Sequence, residues 1–155
     1  MNIRLFLLTI LVQWGPSVHG QYNLPLKHLA LTSGFGYRIH PVTGQETFHS
    51  GIDLRAHHDT VYAIADGLVT RVGYQRFLGL YVCLDHNGLE SVYGHLSSVG
   101  VLPGDTVISG QPVAISGETG RVTGGHLHFS VYYRGKPIDP VKFLYHLIKY
   151  NQYHE

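Results

Sequence analysis

His49 and Asp53 stand four residues apart in the stretch FHSGIDL, and His126 and His128 stand two apart in GGHLHF. Imidazole and carboxylate are side chains that hold divalent metals, and imidazole also exchanges protons near neutral pH. A spacing of two separates the possible backbones. In an extended chain His126 and His128 share one face while Leu127 and Phe129 share the other, whereas a helix sends residues i and i+2 to different sides. The same strand reading puts His49 and Asp53 on one face and Phe48, Ile52 and Leu54 on the opposite one. Both stretches therefore describe half-buried strands with a polar working surface. Three imidazole or carboxylate ligands leave one position of a tetrahedral zinc ion open to water, whose pKa the metal lowers. Further histidines beside such a centre would move protons and stabilise a developing oxyanion. Twelve histidines in 155 residues produce roughly one H-x-H by chance, so on spacing alone surface histidines on a sheet remain a competing reading.

The elements that must carry these residues are strands. The stretches GLVTRVGYQ (67–75), LYVCLDH (80–86), LESVYGHL (89–96) and HLHFSVYY (126–133) are rich in Val, Tyr and Leu, and glycine-containing turns punctuate them. Asn87-Gly88 between two such runs signals a tight hairpin. Turn residues alternate with β-branched ones from Val101 to Ser116. The expected fold is all-β and mainly antiparallel, a small curved β-sandwich or barrel-like domain with one short C-terminal helix. That helix opens at Asp139 as N-cap and Pro140 as first helical residue. Gly124-Gly125, ahead of His126, suggests a close backbone approach, a bulge or a plain turn.

The chain begins with one arginine and an apolar run from Ile3 to Trp14, then a Gly-Pro break and the small-residue pattern ending at Gly20. This run is short for a membrane span and has the layout of a cleaved secretory signal. The expected organisation is a signal peptide at 1–20, a short lead at 21–32, one domain at 33–146 and a tail at 147–155. Residues 1–20 contain Arg4 and no acidic residue, so ten basic and ten acidic groups remain. That balance argues against a nucleic-acid or anionic-membrane partner, and no stable membrane insertion is expected after cleavage. The one cysteine, Cys83, is expected to be a buried strand residue.

Three blocks, SGFGYRIHPVTGQETFHSGIDL, VYGHL and GETGRVTGGHLHF, resemble in order and separation the signature of lysostaphin-type (LytM-like) zinc endopeptidases. The similarity runs from about residue 33 to 144. By this resemblance His49, Asp53 and His128 would be the ligands of one zinc ion, and His95 and His126 the catalytic pair. The family cleaves peptide bonds of bacterial peptidoglycan, in stem peptides or cross-links, through a metal-activated water. The implied protein is an exported zinc endopeptidase of the periplasm, cell envelope or exterior. Some relatives have lost ligands and act only as activators of other wall enzymes; all five positions are filled here. A non-catalytic wall-binding or regulatory module, or an envelope-machine component with a structural zinc, is the alternative.

Tyr37 and Arg38 are expected on a loop before the metal strand, where they would bind substrate or, equally, pack and be solvated. Tyr93, two residues before His95, would share its strand face and either line the cleft or pack. His57, His58, His86, His28, His40, His146 and His154 lack motif partners and read as structural or surface residues.

Overall fold

The computed structural model describes residues 22–39 and 44–154; the signal expected at 1–20 lies outside them. Among the described residues the chain forms β1 (Leu31–Ser33), β2 (Gly36–Ile39), β3 (Glu46–His49), β4 (Ile52–Arg55), β5 (Thr60–Tyr62) and β6 (Gly67–Gln75). There follow β7 (Gly79–Asp85), β8 (Leu89–Val99), β9 (Thr106–Val107), β10 (Pro112–Ser116), β11 (His126–Tyr133), β12 (Lys136–Ile138) and the helix α1 (Pro140–His154). The expectation of an antiparallel β-protein ending in a short helix holds.

Ten strands form one sheet whose main path runs β1-β4-β11-β8-β7-β6-β9. The long β8 also pairs with β10, which continues to β5. β2 and β3 make a separate two-stranded ribbon. Antiparallel pairing places directly opposed residues on one face. Phe129 faces Tyr93 and Ile52, and Leu127 faces Leu54. Together with Val82, Leu84 and Val131 they form the fully buried core side of the sheet. Each such side chain stabilises the fold by about 1.5–3 kcal/mol relative to exposure. The opposite face carries His126, His128 and Ser130 of β11, with Val92 and Gly94 of β8 beside them.

The β7–β8 hairpin turns where the sequence indicates. Asn87 (φ 60°) and Gly88 (φ 92°) both occupy the left-handed region that a tight primed turn requires, and Asp85 Oδ1 accepts from the Gly88 N–H at 3.1 Å. At the helix, Asp139 Oδ1 accepts from Val141 N–H at 2.9 Å, an N-cap bond. The helix continues through the residues expected as a tail, and Leu144 and Leu147 on it are buried. The short lead is also part of the packed domain. Leu26 is buried in the core, Asn23 N–H donates to Ile64 O, and Asn151 of α1 bonds the Tyr22 backbone. No helix among the described residues is long and apolar enough to cross a membrane.

Candidate metal centre

His49 ends β3 and Asp53 lies in β4, so the two do not share one strand as the spacing suggests. A bend at Ser50-Gly51 takes the chain from the ribbon into the main sheet and folds the two side chains together. Gly51 permits it: a Cβ there would lie 2.4 Å from Ser130 Oγ, 2.5 Å from Phe129 O and 2.8 Å from His128 Cε1. Asp53 is directly opposite His128 in the β4–β11 register. The result is a triangle of donor atoms: His128 Nδ1 to Asp53 Oδ1 3.0 Å, His49 Nε2 to His128 Nδ1 3.1 Å, and His49 Nε2 to Asp53 Oδ1 3.3 Å. Ligands on a tetrahedral zinc ion with bonds near 2.0–2.1 Å stand about 3.3 Å apart, so the set fits such an ion. It is the one group of three or more potential ligands found among the described residues.

The outer nitrogens decide which lone pairs face inward. His49 Nδ1 is 2.8 Å from Gly34 O, and a carbonyl only accepts, so Nδ1 carries the proton and Nε2 a lone pair. His128 Nε2 bonds the Ser130 hydroxyl at 2.8 Å, a partner able to accept its proton when Nδ1 serves as ligand. Burial alone would raise the Asp53 pKa, but hydrogen bonds and charge from His128 and His49 hold it far below the usual carboxylate range. The His128 pKa is lowered as well, here by burial, against the pull of Asp53. One carboxylate and two imidazoles thus crowd three potential ligand atoms together, a cation-shaped arrangement.

His95 and His126 stand beside this triangle, ring centroids 4.5 Å apart, with the His95 ring 5.9 Å from that of His128. His126 Nε2 approaches Asp53 Oδ1 at 3.6 Å. Each donates Nδ1–H to a carbonyl, His95 to Thr119 O at 2.9 Å and His126 to Gly124 O at 2.8 Å. In each, Nδ1 is thereby committed to a carbonyl and Nε2 is the remaining ring nitrogen. Burial lowers the His95 pKa to about 4, partly opposed by the Thr119 bond, so this imidazole is neutral at physiological pH.

His95 does not reach the site by simple strand alternation. Its φ is 59°, in the left-handed region, and the β7–β8 register slips between Leu80 and Val82. This bulge reverses the face on which His95 emerges. Tyr93 consequently does not share the His95 face and lines no cleft. It is 0% exposed on the core side, where its hydroxyl accepts from Ile64 N–H at 3.2 Å and bonds Ser91. Tyr37 and Arg38 lie on strand β2 of the ribbon rather than on a loop. Tyr37 is 75% exposed, edge-on to Phe48, and Arg38 bonds the Ser33 hydroxyl; neither joins the histidine cluster. Of the two readings open for His86, structural or surface, the structure shows the structural one: Asp66 O and Ser91 Oγ hold its two ring nitrogens, each at 2.8 Å. The functional group that sequence reasoning missed is the loop carbonyl of Thr119, whose role is invisible in residue type.

The model of peptidase family M23 matches residues 47–140. The chain is 40% identical over 125 residues to the DD-carboxypeptidase/endopeptidase Mpg of Neisseria meningitidis serogroup B, covering 79% of this chain and 29% of that protein. It is 38% identical to the peptidoglycan DD-endopeptidase ShyB of Vibrio cholerae serotype O1, again over 79% of this chain and 29% of the relative. The chain thus spans less than a third of the length of these curated relatives. Among solved structures, a zinc-containing peptidase from Vibrio cholerae superposes with a TM-score of 0.73 at 38% identity, covering 77% of this chain and 39% of that one. The catalytic domain of lysostaphin from Staphylococcus simulans superposes with a TM-score of 0.66 at 30% identity, covering 75% and 92% of the two chains.

Proposed function

The chain belongs to peptidase family M23, and from that premise we propose that it is an exported, zinc-dependent endopeptidase cleaving peptide bonds in peptidoglycan stem peptides or cross-links. The observation that carries this reading is the donor triangle of His49, Asp53 and His128, 3.0–3.3 Å on its sides, with two base-competent imidazoles next to it. Relatives named peptidoglycan DD-endopeptidases support the substrate class.

In this reading His49 Nε2, Asp53 Oδ1 and His128 Nδ1 hold one zinc ion. When bound, zinc supplies Lewis acidity toward the peptide carbonyl and lowers the pKa of water. The remaining work falls to the chain. Gly34 O and Ser130 keep the ligand imidazoles oriented. His95 and His126, each with Nδ1 committed to a carbonyl and Nε2 as the remaining ring nitrogen, take a proton from the attacking water and deliver one to the leaving amine. As imidazolium, either also stabilises negative charge on the carbonyl oxygen. The surrounding sheet shields His95 from bulk water, since His95 is buried, while His126 is partly exposed.

The test is metal content and turnover of a purified cross-linked muropeptide. His128→Ala should lose zinc and activity together. His95→Ala should retain about one zinc per chain and lose turnover by about two to four orders of magnitude, the usual worth of a general acid or base. Undiminished turnover in the His95→Ala chain would remove the assignment. Full zinc content without turnover in the unaltered chain would favour the non-catalytic wall-binding or regulatory module.

A further inference from the structure

A groove of ≈560 Å³ lies on the same sheet face as the histidine cluster. Its floor is Cys83 and Val92, which oppose each other in the β7–β8 register. Val92 in turn opposes Ser130, the partner of His128. The groove's inner wall is Leu78, which packs over Gly94 where a Cβ would lie 2.9 Å from Leu78 Cδ2 and 3.5 Å from His128 Cβ. Leu78 therefore brings the inner end of the groove close to His128, although none of the three candidate ligands lines it. The groove extends along β11 to Tyr132, four residues beyond His128, or about 13 Å at roughly 3.3 Å per residue.

The outer end has an unusual charge composition for a sheet surface. Arg71 of β6 and Glu90 of β8 reach across the intervening strand above Cys83, with Arg71 Nη2 at 3.0 and 2.9 Å from the two Glu90 oxygens. One guanidinium nitrogen makes both contacts. Arg134, in the β11–β12 turn with φ 49° and stacked at 5.3 Å on Tyr133, adds a second cation, and Asp85 a second carboxylate. Tyr81 and Tyr132 supply hydroxyls from either side. A ligand ending in a lone carboxylate meets Glu90 and Asp85 as well as the two arginines. A lone ammonium meets Arg71 and Arg134. A group carrying both charges on one carbon finds a partner for each.

We propose that this groove is a second binding subsite, on the same sheet face as the metal centre, that takes the amphoteric α-amino-acid head of a peptide side chain. This rests on the endopeptidase reading for its place in the reaction, but its binding chemistry does not depend on turnover. Arg71 and Arg134 receive the carboxylate, and Glu90 receives the ammonium. Seating the head there fixes the peptide about 13 Å from the metal ligands, and so sets which backbone bond lies over them.

The experiment measures binding to the zinc-loaded His95→Ala chain, in which turnover is suppressed. Three otherwise identical tripeptides present side chains of the same length ending in both charges (diaminopimelyl), ammonium alone (lysyl) or carboxylate alone (2-aminopimelyl). The expected result is about tenfold tighter binding of the doubly charged head, consistent with one additional charge-assisted contact. Glu90→Gln should shift the preference toward the carboxylate probe, and Arg71→Gln toward the lysyl probe. These opposite shifts are the signature, because loss of a merely structural ion pair would weaken all three probes alike. Equal affinity for the three heads, or one ranking unchanged in both variants, would overturn the subsite. Loss of hydrolysis in the unaltered chain with these preferences intact would overturn the endopeptidase reading and leave the subsite standing.

Discussion

At the scale of single residues the decisive feature is a histidine held in a conformation that favours glycine. A β-carbon residue at φ 59° is strained, and such strain persists only where surrounding contacts over-determine it. The His95 N–H donates to Leu78 O at 2.7 Å, and its Nδ1–H donates to Thr119 O at 2.9 Å. Thr119 is itself tied down by its hydroxyl, which donates to Leu96 O at 2.7 Å and accepts from Leu80 N–H at 2.9 Å. Thr119 is thus a positioning residue acting through His95. Thr119→Val keeps the shape and removes the hydroxyl bonds. It should lower kcat about tenfold or more, leaving KM and zinc content near those of the unaltered chain, while Thr119→Ser restores kcat. Zinc loss in Thr119→Val, or equal kcat in the two variants, would contradict that role.

At the scale of elements, Gly51 couples the ribbon to the sheet. Any side chain there collides with backbone at Phe129 as well as with the flexible ends of Ser130 and His128. Gly51→Ala should destabilise the fold by about 1–3 kcal/mol, the usual cost of forcing atoms into a packed site. It should also weaken zinc binding, because the displaced groups include a ligand. Urea unfolding and zinc titration check both; an unchanged midpoint would count against the packing described. The strands themselves were legible because period-two patterning dominates them: β11 covers the same residues, His126–Tyr133, that alternation assigns. The face shared by His126 and His128 followed directly. The faces of His95 and Tyr93 did not, because a bulge adds a residue without changing composition, and alternation then assigns Tyr93 to the wrong side. The break between β3 and β4 escaped for a similar reason. Spacing constrains faces only within one continuous element, and Ser50-Gly51 ends it.

At the scale of the whole molecule, the site's neutrality sets a pH dependence of stability. Burial lowers the pKa of His86 and His128 from 6.5 and that of His95 to about 4. Below about pH 6.5 the unfolded chain therefore binds protons that the folded, metal-free chain refuses, so stability falls on acidification. The depressed Asp53 pKa continues the loss below 3.8, where the unfolded carboxylate protonates first. The urea midpoint of the chelated protein should be lower at pH 5 than at pH 7, and His86→Gln should reduce the difference. A higher midpoint at pH 5 would contradict the burial described. The same whole-molecule arrangement gathers the His49–Asp53–His128 triangle, His95, His126 and a charged groove on one sheet face, while the opposite face holds the core. The proposed activity of this face is hydrolysis of peptidoglycan with a bound metal. The most direct measurement is digestion of purified, cross-linked peptidoglycan by the zinc-loaded chain, with and without a chelator, and mass spectrometry of the released muropeptides. Loss of cross-linked dimers that the chelator prevents and added zinc restores is the predicted result. Intact dimers across several wall types, with zinc bound and the fold retained, would contradict it.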